Sequence, residues 1–369
     1  MKLDRIERRT ALVYGTYAAA FVVLALARLA SLPPMVVFVL AVLALGAGAV
    51  AVGEATSKLS HRLSPAATGV VQSVLGNLPE LFLAVFALQA GLYGVVAAAL
   101  VGSVLGNLLF VLGLALLVGG LRHGTLEFSR RANNLYATTL LLGVAALIVP
   151  FLATQIGAPD FGHAGELSAV VAVTLLVVFA ISIPIFLRLP AQAGPGTRPD
   201  VDQPEGQART GSSPLWPTVV ALAVSAGAAA FVADWFVEAL TPAMATIGMS
   251  EAFAGLIVVA LAGNAVENLA AVSAAWHKRA DLSLSLVLNS ALQIVLFVVP
   301  VVVLLSFVVA PAPLTLVFAP LLLGVLAVTA VLVFAIVIDG EANALEGALL
   351  LGLYAIVAAA VWWGRPISG

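Results

Sequence analysis

Gly76-Asn77-Leu78-Pro79-Glu80 returns as Gly263-Asn264-Ala265-Val266-Glu267, and both copies lie inside long apolar stretches. A carboxylate in the middle of a membrane span is expensive, so each Glu marks a functional site by default. The offset of 187 residues holds further on: Ser103 falls on Ser290, Leu105 on Leu292, and Leu109-Phe110-Val111 on Leu296-Phe297-Val298. Residues 76–113 and 263–300 align without a gap, with 11 identities in 38 positions, and these include the whole Gly-Asn-Glu-Ser polar frame. Apolar bias alone would match Ala, Val and Leu, but not the polar residues. The pattern predicts an internally duplicated transporter with its ion site where the repeats meet.

The rest of the 369-residue chain agrees, with 9% charged and 62% hydrophobic residues. A soluble domain carries about 25% charged residues. The chain is therefore read as an all-α polytopic membrane protein with no room for a soluble catalytic domain, and not as an enzyme. It contains no cysteine, which excludes disulfides and thiolate-held metals. The basic segment from Met1 to Arg9 precedes an apolar run without a small-residue cleavage site, so a retained first helix is expected rather than a signal peptide.

Runs long enough to span a bilayer fall near 11–30, 34–53, 67–90, 95–119, 134–153, 167–187, 215–237, 252–275, 282–308, 313–337 and 345–363, about eleven transmembrane helices. None alternates as barrel strands do, so no strands are expected. With the N-terminus inside, cytoplasmic segments hold 14 of the Lys and Arg residues and external segments only Arg28 and Arg365. That asymmetry predicts a cytoplasmic N-terminus and an external C-terminus. The Gly- and Pro-rich stretch 190–214 reads as a cytoplasmic linker. The expected organisation is an N-terminal segment and helix 1 over 1–32, a first repeat over 33–189, the linker, and a second repeat over 215–369. Five helices separate equivalent elements, so the copies cross in opposite directions, giving two inverted-topology five-helix repeats plus an extra N-terminal helix.

Gly76 and Pro79 both weaken a helix, and the carbonyls of a broken helix are tolerated at membrane depth only where they line a cavity. The second copy has Val266 in place of Pro79, so its break is expected to rest on Gly263 alone. Asn77 with Glu80, and Asn264 with Glu267, are three apart and share a helix face. Two carboxylates, amides, hydroxyls, carbonyls and water form an all-oxygen set suited to a hard cation such as Ca²⁺. The expected cation ligands are Glu80, Glu267, Asn77, Asn264, Ser103 and Ser290. Gln72, Asn107, Asn289 and Gln293 are candidates for further oxygens or the ion path. Glu54 and Asp234 are read as relays near a mouth, and Glu238 as an interfacial residue. His61, His123, His163 and His277 fall in expected loops and are read as solvated. Asp339, Glu341 and Glu346 are assigned to loop solvation and to capping the last helix.

These residues resemble the calcium/proton antiporter family of the cation/calcium exchanger superfamily. The likeness is carried by Gly76-Asn77-Leu78-Pro79-Glu80 followed by Phe86-Ala87-Leu88-Gln89-Ala90-Gly91, and by Gly102-Ser103-Val104-Leu105-Gly106-Asn107-Leu108-Leu109. It continues in Asp281-Leu282 through Gln293 to Pro300, and in Asp339-Gly340, Leu345-Glu346-Gly347 and Tyr354. The resemblance runs from helix 2 onward. It implies a Ca²⁺/H⁺ antiporter by alternating access, with Glu80 and Glu267 binding the cation and exchanging it for protons. The chain departs from the family where Asn268 replaces the usual His, Asn289 the usual Gly or Ser, and Gln72 the usual Asn. A Na⁺(K⁺)/H⁺ or Na⁺/Ca²⁺ exchanger of the same fold is the alternative. No cofactor is expected beyond the transported Ca²⁺ and protons. The expected setting is the plasma (inner) membrane, in contact with lipid and without nucleic acid. A homo-oligomer is left open.

Overall fold

The computed structural model describes residues 2–60, 74–157, 161–187 and 216–362. Among the described residues twelve α-helical elements run in order: α1 (Lys2–Leu29), α2 (Pro34–Ser60), α3 (Leu78–Gln89), α4 (Tyr93–His123), α5 (Arg130–Gln155), α6 (Ala164–Leu187), α7 (Trp216–Ile247), α8 (Glu251–Gly263), α9 (Ala265–Trp276), α10 (Ala280–Val309), α11 (Pro320–Val337) and α12 (Ala344–Trp362). Among the described residues nine are long and apolar enough to cross a bilayer, and the arms Glu251–Gly263 and Asn268–Trp276, bent by 65°, pass the same test only together, which brings the number to ten when the pair is counted as one span. The twelve-residue α3 follows residues outside the described set, so the expected eleventh span, from 67, is described only in part.

The helices share two common ends. At one, Tyr93 Oη donates to the Ala312 carbonyl at 2.9 Å, and Ser250 Oγ, which caps α8, donates to the Val361 carbonyl at 2.5 Å. At the other, a His123 ring nitrogen meets the Trp276 carbonyl at 2.9 Å. Asp281 Oδ1 there accepts the Ser129 N–H at 2.6 Å, tying the start of α10 to the start of α5. α3 therefore runs toward the Tyr93 end and α9 toward the His123 end, opposite directions for equivalent elements. Arg28 lies at the Tyr93 end, paired with Glu238 at 2.5 Å and stacked over Trp235. The cations Lys58, Arg122, Arg130, Arg131, Lys278 and Arg279 gather at the His123 end, in keeping with the sequence asymmetry.

The expectation of no strands needs one correction. Leu126–Glu127 (β1) and Glu341–Ala342 (β2) form a two-residue antiparallel bridge at the His123 end, where both loops leave the apolar layer and their backbones pair. Capping of the last helix is also corrected. Asn343 Oδ1 accepts the N–H groups of Leu345 and Glu346, while Glu346 accepts the Asn343 N–H at 2.7 Å. This reciprocal capping box makes Asn343 the cap, with Glu346 its returning partner.

Two crossings at the centre set the packing. α4 is the most enclosed span, with 89% of its central window buried, against 61% for α10. Gly102 of α4 lies so close to α8 that a Cβ there would fall 2.4 Å from Leu256 Cα, and one on Gly255 would fall 2.4 Å from the Val95 carbonyl. Lipid tails are as apolar as Leu, so membrane helices associate by close backbone approach through small residues. Gly113 and Gly347 bring α4 against α12 in the same way, a Cβ on Gly347 meeting the Gly113 carbonyl at 2.6 Å.

Candidate ion-binding site

Both Gly-Asn-x-x-Glu frames break their helix at the Asn. Asn77 has φ −96° and ψ 12°, and Asn264 φ −97° and ψ 15°. This is the sparsely populated bridge region, where many active-site residues sit. Matching dihedrals with Pro79 in one copy and Val266 in the other show that the proline is not what breaks the chain. Pro79 stands in the first turn of α3, where its missing N–H has no helical partner to lose. The expectation that Gly263 alone breaks the second copy is likewise corrected: Gly263 closes α8 in helical geometry and Asn264 makes the turn.

The glycine has a different task. A Cβ on Gly263 would stand 2.8 Å from Glu80 Oε1 and 3.2 Å from its Cδ and Cγ. The first repeat's carboxylate is thus seated on the second repeat's motif, in the space a side chain would fill. Glu80 lies in the first turn of α3, whose Asn77 cap makes no side-chain hydrogen bond to the helix.

Neutral oxygens join it from both repeats. Asn77 Nδ2 donates to Gln293 Oε1 at 3.3 Å and Asn107 Nδ2 to Ser290 Oγ at 3.0 Å, all four residues buried. Both bonds cross from the first repeat to the second. The repeats are not equivalent here. The counterpart of Gln293 is Gly106, which offers Asn264 nothing, and Asn264 Nδ2 instead donates to the Ala260 carbonyl of its own helix at 3.2 Å. Asn107 matches Ile294, an apolar residue. Just beyond Ser103 and Ser290 the two central helices each widen into a π-helical turn, Gly106–Val111 and Ile294–Val298, at matched positions of the 187-residue frame. Such turns recur at functional sites because the extra residue per turn re-aims side chains and loosens the backbone ladder.

Above Glu80 and Ser103 lies a small cavity. Its walls come from the Gln89 half of α3, the Tyr93 half of α4, and α7 at Phe236, Val237 and Leu240, with Ile294 and Val298 of α10 opposite. It therefore extends from the carboxylate toward the Tyr93 end.

Six expected site residues meet in this region: Glu80, Asn77, Ser103, Asn107, Ser290 and Gln293. Asn264 borders it at the α8–α9 break. Glu267 occupies the first turn of α9, with its side chain outside the described set, as is all of Gln72. Asn289 is half-buried on α10, one turn from Gln293 toward the His123 end. Asp234 is half-buried on α7, one turn before Val237 and Glu238. Glu54 is set apart. A Cβ on Gly46 of α2 would stand 4.0 Å from the Ala262 carbonyl, and Glu54 lies eight residues, about 12 Å at 1.5 Å per residue, further toward the His123 end. There it accepts a hydrogen bond from Thr10 at 3.1 Å beside Lys58 at 3.5 Å, joining α1 to α2. Among the described residues no group of three or more His, Asp or Glu side chains gathers.

The sodium/calcium exchanger protein model matches residues 33–188 and 217–363. The chain belongs to that family. It is 37% identical over 340 residues to the Ca²⁺/H⁺ antiporter of Synechocystis sp., covering 89% of this chain and 91% of that protein. It is 33% identical to the Ca²⁺/H⁺ antiporter ChaA of Bacillus subtilis, covering 83% and 86%. The native YfkE structure superposes with a TM-score of 0.79 at 28% identity, over 95% of this chain and 99% of that one. The H⁺/Ca²⁺ exchanger CAX shares the fold, with a TM-score of 0.74 at 15% identity over 96% and 92%.

Within this exchanger-family chain, several contributors were hidden from sequence reasoning. Gly263 was visible as part of a motif, but nothing in the sequence says that it faces Glu80. Phe236, Val237 and Leu240 form a cavity wall yet look like any apolar helix face. The Gly102 and Gly255 crossing gave only the weak signal of small residues within apolar runs.

Proposed function

We propose that the protein is a secondary active antiporter that exchanges Ca²⁺ for protons by alternating access, with the cation held between the two Gly-Asn-x-x-Glu motifs. The seating of Glu80's carboxylate on Gly263 of the opposite motif carries this reading, because it puts an intramembrane charge at the repeat boundary. The antiporter relatives from Synechocystis and Bacillus subtilis support the choice of ion and counter-ion.

The mechanism follows from charge. An ionised side chain at mid-membrane is disfavoured by about 2.5–3.5 kcal/mol on insertion scales. Two carboxylates that share one site, Glu80 and Glu267 in this reading, disfavour joint ionisation, so protons are kept when no cation is present. Ca²⁺ displaces them, and returning protons release Ca²⁺. The site crosses between its two accessible states only when neutralised, by one divalent cation or by about two protons. Asn77, Asn264, Ser103 and Ser290 supply neutral oxygens that replace the hydration shell. Asn107, Asn289, Gln293 and Asp234 line or approach the path in this reading, with Gln72 a further candidate on sequence grounds, whereas Glu54 is better placed to join α1 to α2. The N-terminus is placed in the cytoplasm and the Tyr93 end outside a plasma (inner) membrane.

The test is dissipation of a pH gradient in everted vesicles on adding Ca²⁺, Na⁺ or K⁺ in turn. Ca²⁺ should release protons, and Glu80→Gln should abolish that release while the folded protein stays in the membrane. Proton release by Na⁺ alone, or near-normal Ca²⁺ response in a Glu80→Gln, Glu267→Gln double variant, would overturn the reading.

A further inference from the structure

Leu109-Phe110-Val111 returns as Leu296-Phe297-Val298, an apolar identity of the 187-residue frame that supplies no oxygen to a cation. Each Phe falls within a π-helical turn. The two turns close alike. Leu112 N–H donates to the Asn107 carbonyl and Val299 N–H to the Ile294 carbonyl, equivalent bonds of the frame. Each Phe also meets a ring on the last helix of the other repeat. Phe110 packs on Tyr354 of α12, with ring centroids 5.4 Å apart and planes tilted by 40°. Phe297 packs on Phe179 of α6 at 5.3 Å and 35°. Both separations lie in the range of favourable aromatic pairs.

We infer that Phe110 and Phe297 are positioning residues: their ring contacts with Tyr354 and Phe179 hold the two π-helical turns, and the turns aim the polar side chains beside them at the ion site. A π-helical turn is rare and carries one residue more than an α-helical one, so packing from outside has to hold it. Asn107, the second residue of the first turn, donates to Ser290. Gln293, immediately before the second turn, accepts from Asn77. Successive residues of an α-helix are rotated by about 100°, so a turn that lost its extra residue would twist one flank against the other by about that angle. The amides would then miss their partners. The contact belongs to the rings and not to a hydroxyl. Phe179 has none, and Tyr354 Oη is buried without a hydrogen-bond partner among the described residues. The inference rests on the ion site proposed above and adds the four rings that hold its shape.

The test is Ca²⁺-driven proton flux in everted vesicles, with thermal unfolding of each purified full chain beside it. Phe110→Leu keeps an apolar side chain and loses the ring. It should raise KM for Ca²⁺ by about two- to tenfold, the worth of an aromatic pair, at near-normal kcat. Phe297→Leu should do the same. Tyr354→Phe, which keeps the ring, should retain the wild-type KM. Phe21→Leu is the reference. It breaks a pair of the same 5.3 Å separation, Phe21 with Trp235, on α1 outside the repeats, and should lower the melting temperature at unchanged KM. Ser290→Ala removes the group at which the first turn aims Asn107. In a Phe110→Leu background it should therefore raise KM and lower the melting temperature clearly less than it does in wild type.

An unchanged KM in both Phe110→Leu and Phe297→Leu would overturn the inference. An equal rise of KM in Phe21→Leu would do so too, as would independent effects of Phe110→Leu and Ser290→Ala. Should Phe110→Leu not fold, Phe110→Met takes its place with the same expectations. The melts need no transported ion, which separates the inference from the transport reading. A wild type that releases no protons on Ca²⁺ overturns that reading, and the coupling of Phe110 to Ser290 in the melts then decides the inference. A wild type that responds to Ca²⁺, with ring variants of unchanged KM, refutes only the inference.

Discussion

Replacing Gly263 by Ala should impair transport without unfolding the protein. The new Cβ would stand 2.8 Å from Glu80 Oε1, where ordinary contact begins at 3.4 Å, so the carboxyl group must retreat by about 0.6 Å. The obstructed atom is the far end of a flexible side chain, and Gly263 already has helical geometry, so the backbone need not move. Ala in a helix gains about 0.5–1 kcal/mol over Gly, which offsets much of the local strain. The ligand geometry has no such compensation. A displacement of 1 Å can lower activity about a hundredfold, so 0.6 Å should lower kcat/KM for the cation by roughly ten- to thirtyfold. Cation-driven proton flux in everted vesicles measures this, with thermal unfolding as the fold control. Glu80→Asp withdraws the carboxyl group by one methylene. In the double variant Gly263→Ala, Glu80→Asp the clash disappears, and the two losses should be clearly less than additive. A wild-type flux curve for Gly263→Ala, or strict additivity in the double variant, would refute the contact as a determinant of the site.

Ser290→Ala leaves the buried Asn107 amide without its acceptor, so it should lower stability by about 1–3 kcal/mol and raise KM while sparing most of kcat. Asn107→Ala should add little on top of it, and independent effects in thermal melts and flux assays would break the pairing. Gly102→Ala drives a Cβ to 2.4 Å from the α8 backbone, which cannot swing aside as a side chain can, so assembly rather than KM should fail. Size-exclusion profiles would show aggregated or absent protein, and a monodisperse, active Gly102→Ala would contradict the crossing. For topology, a reporter fused after Gly369 should read out on the external side and one within 190–214 on the cytoplasmic side. Both on one side would remove the inverted repeat.

Hydrophobicity and the price of a buried charge acted on every residue separately, so they were legible in the sequence alone. Unbroken apolar runs required helices, the skew of Lys and Arg distinguished two ends, and two Glu residues in a matched polar frame pointed to where an ion site was to be sought. Contacts were a different matter. Asn77 and Asn264 each stand between a Gly and a Glu of the repeated frame and have nearly the same backbone angles, yet one bonds Gln293 across the repeats and the other its own Ala260. Whether an amide reaches across depends on what the crossing helix presents, and position 293 offers an oxygen where 106 offers only a hydrogen. The π-helical turns escaped notice because they need no special residue, only packing that favours one more residue per turn. Gly263 read as a helix breaker because glycine has that propensity everywhere. Its actual role, leaving room for Glu80, arises from two segments 183 residues apart being pressed together. Composition and periodicity determined that this chain is an all-helical membrane protein. Helix rotation and crossing distance, properties of the assembled bundle, decided which oxygens face one another and where the cavity above Glu80 lies.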